Sequence, residues 1–167
     1  MTSKSRTTNW KLFWKLLSTH LTPDLNLGSL LVIQKAELIN ELSEAAKAAV
    51  KNYEMQFIRE LANNQEFNAF YKAPTVILVC GDESPWMPAD CAAATQNILL
   101  AAESIGLAAC WIHFGLFVFG NENGSKYKKL LGVQEGYRPL YSVALGYRKG
   151  DQPDAAPRKK NVVTYVK

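Results

Sequence analysis

Residues 74–81, PTVILVCG, decide the fold, because they form a continuous apolar run that begins at a proline and ends at a glycine. A run of this length, rich in β-branched residues, predicts a strand buried on both faces over Thr75–Cys80. Four more short apolar runs predict the remaining strands, at Leu30–Ile33, Ala108–His113, Tyr141–Leu145 and Val162–Val166.

Helical patterns lie between these runs, with apolar residues recurring every three or four positions. They predict helices at Asn9–His20, Lys35–Ala49, Tyr53–Asn63, Asp90–Ile105 and Ser125–Leu131. Asp90 is the expected N-cap of the long helix, and Gly106 and Gly132 are expected to end the two helices that precede them. A chain of 167 residues with this order of elements predicts one mixed α/β or α+β domain.

The composition is that of a globular protein, with 48% hydrophobic and 20% charged residues and a net charge of +4. Part of this charge lies in the Arg158–Lys160 cluster, which has no interleaved aromatic residues. The cluster favours a local anion site over a nucleic-acid surface. The three cysteines have apolar neighbours and no CxxC spacing, so neither a disulfide framework nor a metal site is expected, and the predicted location is the cytoplasm.

The most apolar stretch, residues 98–118, is interrupted by Glu103, Ser104 and His113. These residues and two glycines divide the stretch into pieces that are too short to cross a bilayer. The stretch therefore predicts a helix followed by a buried strand, and no membrane partner is expected.

The sequence offers no visible acid–base or nucleophilic machinery. His20 and His113 are the two histidines, no Ser/His/Asp or Cys/His arrangement follows from the spacing, and no glycine-rich phosphate loop is present. No catalytic side chain is therefore predicted. This pattern is typical of proteins in which a bound cofactor carries the reaction.

Four blocks resemble the nitroreductase family, in the family's order and spacing. They are APTVILVCGD at 73–82, DCAAATQNILLAAESIGLAACWI at 90–112, LLGVQEGYRPLYSVALGY at 130–147 and PRK at 157–159. The middle block, with its Asp-initiated helix followed by a C-W-I strand, is the most specific. The resemblance divides the chain into an atypical N-terminal segment, residues 1–31, and a nitroreductase-like domain, residues 32–167.

This resemblance implies an α+β fold, with a sheet flanked by helices, in an intertwined homodimer that holds FMN at its interface. It also implies hydride transfer from NAD(P)H through the flavin to a nitroaromatic, quinone or similar small-molecule acceptor. A dimer would bury the apolar helix Asp90–Ile105 between subunits. It would also let Val162–Val166 pair with an edge of the partner's sheet.

The resemblance assigns FMN contacts to Ile112, His113, Arg158 and Lys160. Arg158 and Lys160 match the basic residues that family members place on the flavin phosphate, and side chains two apart in an extended segment point to the same side. A solvated basic tail is the alternative. The backbone of Ile112 and His113 matches the segment that approaches the isoalloxazine ring. Many members have glycine at the position of His113, and a histidine without function is the alternative there.

The family's N-terminal flavin motifs, R-R-S-x-R and A-P-S-x-x-N-x-Q-P-W, do not occur in this chain. Two explanations stay open: a leader similar to a transit peptide, and a frameshift over residues 9–28. Codons compatible with these residues, read one base earlier, can encode ELEIILEAALYAPNARSQPW, which resembles the second motif. Without the arginines, we expect weak FMN binding. The alternatives are a ligand-binding dimer without catalysis and an inactive product of a frameshifted gene.

Overall fold

The computed structural model describes residues 11–13, 15, 29–150, 154–160 and 162–166. Within these residues the centre of the fold is an antiparallel sheet in the order β1-β2-β4-β3. Its strands are β1 (Ser29–Ile33), β2 (Thr75–Gly81), β3 (Leu107–Ile112) and β4 (Arg138–Tyr147). The outer strands β1 and β3 leave one edge each without a partner strand among the described residues.

Helices cover both faces of this sheet, which confirms the predicted α+β class. They are α1 (Ala36–Ala49), α2 (Gln56–Asn63), α3 (Met87–Ser104), α4 (Gly124–Leu130) and a 3-10 helix at Phe114–Gly120. The side chains of α3 pack on one face, and those of α1 and the 3-10 helix pack on the other. No helix of the described part of the chain is both long enough and apolar enough to cross a membrane.

Strand β2 joins the two halves of the core, because all seven of its residues are buried. Successive side chains of a strand point to opposite faces. Val76 and Leu78 therefore pack with the α1 side of the core, while Ile77 and Val79 pack with the α3 side. Each buried aliphatic side chain of this kind contributes about 1.5–3 kcal/mol of transfer free energy. The predicted two-sided burial of this strand is confirmed.

The predicted helix ends are partly confirmed. Gly106 and Gly132 follow the ends of α3 and α4 with φ angles of +75° and +69°, a conformation that glycine adopts without strain. The prediction that Asp90 caps α3 is wrong, because the helix begins three residues earlier, at Met87, with Trp86 as its N-cap. Pro88 stands in the first turn, where a missing backbone N–H costs nothing.

The C-terminal prediction differs from the structure, whereas the described residues near the N-terminus agree with the predicted helix. Val162–Val166 forms no strand in the single chain, because a strand needs a neighbour and these residues are exposed. At the other end, residues 11–13 and 15 are helical, and Phe13 is fully buried in the core beside α3. The rest of the predicted Asn9–His20 helix, and most of the segment assigned to a frameshift, lie outside the described residues. The boundary between residues 31 and 32 stays a prediction.

Candidate functional site

The candidate site lies at the end of the sheet where β3 ends and β4 begins. Three aromatic side chains meet there. The rings of Trp111 and His113 are stacked with centroids 5.7 Å apart and planes 14° apart, and Tyr141 meets both rings edge-on, at 4.9 and 5.8 Å. His113 is exposed, whereas the other two are half-buried. The group, named here the aromatic ledge, presents the edge of an imidazole to solvent beside two larger rings.

The strand geometry explains this grouping. Trp111 lies opposite Val143 in the β3–β4 ladder, so Trp111 and Tyr141 form a diagonal pair on one face. The buried hydroxyl of Ser142 donates to the carbonyl of Ile112 at 2.7 Å and fixes the end of β3. The chain then turns at His113, whose carbonyl accepts the N–H of Leu116 at 3.0 Å and begins the 3-10 helix.

The side chain of Ile112 points away from this ledge. It is buried in the part of the core that packs against α1. Only the backbone of this residue is therefore available to a ligand, while His113 offers both backbone and side chain. This arrangement agrees with the backbone role that the family resemblance implies for the pair.

One polar atom of the aromatic ledge has no partner among the described residues. The indole N–H of Trp111 is buried, and no acceptor of the described chain lies within hydrogen-bonding distance. Leaving such a donor unsatisfied costs about 1–3 kcal/mol. The ledge therefore carries a donor that a bound group with an acceptor atom can use.

The thiols near the sheet are not activated. Burial raises the pKa of Cys80 to about 11. The pKa of Cys91 is also raised to about 11, first by burial and then by the nearby carboxylates of Asp90 and Asp82, against the opposing charge of Arg138. Both thiols are protonated at neutral pH, so neither is a ready nucleophile.

The four predicted contact residues lie in two different parts of the described chain. Ile112 and His113 lie at the end of β3, whereas Arg158 and Lys160 are exposed in the segment 154–160, which has no regular secondary structure. Among the described residues, no ion pair or hydrogen bond joins the two basic residues to the aromatic ledge. The roles assigned to all four residues stay predictions.

Comparison with known proteins assigns this arrangement to a family. The model of the "Nitroreductase family" matches residues 26–147, which include the whole sheet and the aromatic ledge. The chain belongs to the nitroreductase family. The match confirms the family resemblance and covers the first three of the four sequence blocks, whereas PRK at 157–159 lies outside it.

Two curated nitroreductase-like relatives are archaeal. A protein of Methanothermobacter thermautotrophicus is 34% identical over 105 residues, covering 59% of this chain and 52% of its own length. A protein of Archaeoglobus fulgidus is 31% identical over 130 residues, covering 73% of this chain and 62% of its own length. Both are named provisionally as NADH dehydrogenase/NAD(P)H nitroreductases. The chain thus spans less than two thirds of the length of either relative.

Among solved structures, the chain is similar to the FMN-bound nitroreductase of Bacteroides fragilis. The TM-score is 0.83 at 24% sequence identity, and the alignment covers 100% of this chain and 89% of that one. This likeness confirms the nitroreductase fold.

The sequence alone missed part of the site. For Trp111 the sequence favours core packing over stacking on a flavin, but the residue is half-buried and stacks on His113. Tyr141 was expected only as a strand residue. The sequence signal that could have found this group is the spacing of aromatic residues on β3 and β4. That signal can be used only when the register between the two strands is known, and no local pattern provides the register.

Proposed function

We propose that this member of the nitroreductase family is a cytoplasmic, FMN-dependent oxidoreductase that transfers hydride from NAD(P)H to a nitroaromatic, quinone or similar acceptor. The observation that supports this proposal is the family match over residues 26–147, which includes the aromatic ledge. The names of the archaeal relatives support a nicotinamide donor.

The residues of the chain fit a flavin in three respects. The buried indole N–H of Trp111 is a donor without a partner in the described chain. The backbone at Ile112–His113 ends a rigid strand beside this donor. Arg158 and Lys160 are exposed cations, two residues apart, with a charge opposite to that of a phosphate. FMN bound there would supply the redox chemistry, which is hydride transfer.

The residues of this chain then have positioning roles. Ile112 and His113 would hold the ring by their backbone, and Arg158 and Lys160 would hold the phosphate. No side chain of the described site is assigned as a catalytic acid or base. The aromatic ledge would exclude water from one side of the ring by covering it with apolar surface.

We further propose that the active form is a homodimer. Trp86 and Leu100 lie on or beside α3 and are 74% and 59% exposed, so α3 keeps large apolar side chains outside the core of the single chain. The tail Val162–Val166 is also apolar, exposed and without a strand neighbour. A second copy can cover the α3 surface and can offer a sheet edge to the tail. Dimerisation would then bury the exposed apolar side chains of α3 and give the tail a strand neighbour.

Flavin binding by this chain is expected to be weak. The family's arginine-rich motif does not occur in the sequence. Each lost charge-assisted hydrogen bond removes about 1.5–3 kcal/mol. One or two such losses, about 1.5–6 kcal/mol together, weaken binding by about tenfold to about 10⁴-fold.

A flavin titration tests this proposal. We expect the purified chain to quench FMN fluorescence only at high concentration, and Arg158→Gln/Lys160→Gln to weaken binding by at least about tenfold. The control, Lys51→Gln/Lys129→Gln, removes two exposed lysines elsewhere and should bind like the unmodified chain. Stoichiometric flavin in the purified protein would contradict weak binding, and equal affinity of the two variants would contradict the phosphate assignment.

Turnover decides between the remaining alternatives. With saturating FMN, we expect the chain to oxidise NADH or NADPH when a quinone is added. Flavin binding without oxidation would instead indicate a ligand-binding dimer. Neither binding nor oxidation would indicate an inactive product. Reading the gene in the other frame tests the frameshift directly, because codons for R-R-S-x-R must then lie just upstream of the segment.

A further inference from the structure

A second cleft lies where β3 begins and β4 ends. It has a volume of about 400 Å³ and is bordered by the loop that leads into β2. Its walls include Ala108 on β3, which is five residues before His113. At about 3.3 Å per strand residue, Ala108 lies roughly 16 Å from His113 along the strand, whereas Cys110, which also lines the cleft, is the neighbour of Trp111 and points to the opposite face of the sheet. It is named here the lysine cleft.

The lining of the lysine cleft is positively charged. Lys72 and Lys149 line it, and no aspartate or glutamate does. Neither lysine makes an ion pair within the described part of the chain. The neighbouring Arg148 differs, because it pairs with Glu103 at 2.9 Å. Two uncompensated cations therefore face one small volume.

The remaining lining of the cleft is mostly apolar. It is built largely from residues with small side chains, namely Ala73, Ala108, Ala109, Ala144 and Gly146. Gly146 also packs closely against the loop, because a Cβ at this position would lie 3.0 Å from Cδ of Pro74. Such a surface accommodates a thin, planar group between the charged sides.

The loop at the rim is held in an uncommon conformation. Tyr71 and Lys72 have φ angles of +54° and +55°, in the left-handed region that residues other than glycine rarely adopt. The side-chain oxygen of Asn68 accepts the N–H groups of Phe70 and Lys72, at 3.0 and 3.1 Å, and maintains this turn. The turn places both Tyr71 and Lys72 along the cleft. Backbone strain of this kind concentrates where a loop positions side chains for a ligand.

We propose that the lysine cleft binds a small organic anion with a planar apolar body, of the aromatic carboxylate class. The two lysines neutralise the carboxylate, the alanine wall contacts the ring, and the phenol of Tyr71 lies at the rim. The volume lies within the range of small-molecule sites. This site is separate from the proposed flavin site and does not depend on it.

The cleft contains its own chemical reporter. Cys110 lines it and is exposed, whereas Cys80 and Cys91 are buried. Alkylation of the folded chain should therefore occur at Cys110, which peptide mass analysis can verify. Partial burial still raises the pKa of this thiol, so the reaction is run at mildly alkaline pH.

The first measurement compares a charged reagent with a neutral one. The ratio of the iodoacetate rate to the iodoacetamide rate at Cys110 should be about three- to tenfold higher in the folded chain than in urea, because the lysines attract the carboxylate. Lys72→Gln/Lys149→Gln should abolish this increase. The control Lys51→Gln/Lys129→Gln, which has the same net charge, should retain it.

The second measurement uses benzoate as the probe. Benzoate should slow the iodoacetamide reaction at least about fivefold and saturably, and it should lose this effect in Lys72→Gln/Lys149→Gln. Three results would overturn the proposal: an equal reagent ratio in folded and unfolded chain, no protection by millimolar benzoate, or protection that saturating FMN removes. The last result would place benzoate in the flavin site.

Discussion

The folded body, residues 29–150, and the tail, residues 154–166, differ in every structural respect. The body contains all the strands and helices with assigned bounds and two connected groups of buried side chains. The described residues of the tail are all exposed and have no regular secondary structure. The body is therefore specified by contacts within one chain, whereas the described residues of the tail are exposed and pair with none of its strands.

This difference divides the proposed flavin site. Ile112 and His113 are held by β3 and by the hydroxyl of Ser142, so their half of the site exists before any ligand binds. Arg158 and Lys160 belong to the tail, and ordering each residue costs about 1–2 kcal/mol of backbone entropy. Ligand or partner binding must supply that free energy. The division gives a second reason, besides the absent arginines, to expect weak flavin binding.

The largest expected effect tests whether stability resides in the body alone. Leu78 in β2 is fully buried, whereas Val163 in the tail is 66% exposed. Leu78→Ala should lower the free energy of unfolding by about 2–5 kcal/mol, because it leaves a cavity in the core. Val163→Ala should change it by less than about 0.5 kcal/mol. Urea denaturation measures both, and similar losses would show that the tail is packed after all.

A second prediction concerns how tightly the body is packed around the candidate site. A Cβ added at Gly115 would lie 2.3 Å from the buried ring of Phe70. Gly115→Ala should therefore cost about 1–3 kcal/mol of stability. Gly120→Ala is the matched control in the same 3-10 helix, since nothing lies within 4 Å of an added Cβ there.

A double mutant shows whether the clash is the cause. Phe70→Leu shortens the ring side chain and should relieve most of the cost of Gly115→Ala, so the two effects should not add. Additive losses, or equal losses at Gly115 and Gly120, would contradict the packing described here.

The third prediction uses the thiols that are buried in the body. The pKa of Cys80 and that of Cys91 are each raised from 9.0 to about 11. Between these values the unfolded chain releases protons that the folded chain retains. The protonated thiols therefore make their full contribution to the free energy of unfolding below about pH 9. This contribution is lost as the pH rises through about 11, and each thiol lowers the free energy of unfolding by up to about 1 kcal/mol per pH unit.

Comparison with a thiol-free core isolates this effect from other titrating groups. Cys80→Ala/Cys91→Ala should show a flatter decline of unfolding free energy between pH 9 and 11 than the unmodified chain. Parallel declines would mean that these thiols ionise without unfolding and that their surroundings are open to water.

The body was predictable where local chemistry determines structure. The continuous apolar run of β2 and the glycines after α3 and α4 identify their elements without knowledge of the fold. The 3-10 helix, FGLFVFG, was missed because its apolar residues follow no helical or strand period. Asp90 was misassigned as a cap because a proline in a first helical turn is an equally valid start signal.

The tail and the site were less predictable because both depend on pairing at a distance. The residues of Val162–Val166 favour a strand, but no local pattern shows whether a sheet edge is available to them. The aromatic ledge depends on the register between β3 and β4, and Tyr141 contacts Trp111 only in that register. Family resemblance located Ile112 and His113, whereas their neighbours required the structure.

The smallest expected effect tests the tail itself. Ending the chain after Lys160 removes the apolar residues of 162–166, which are exposed in the single chain, so the unfolding free energy at low protein concentration should change by less than about 0.5 kcal/mol. The homodimer proposal predicts a difference only at higher concentration. There, association stabilises the folded state, and the Tm of the full chain should rise with protein concentration. The shortened chain should lose part of that rise, because the partner's sheet edge no longer receives a strand. Identical concentration dependence of the two chains, measured by thermal unfolding and by light scattering, would show that the tail takes no part in association.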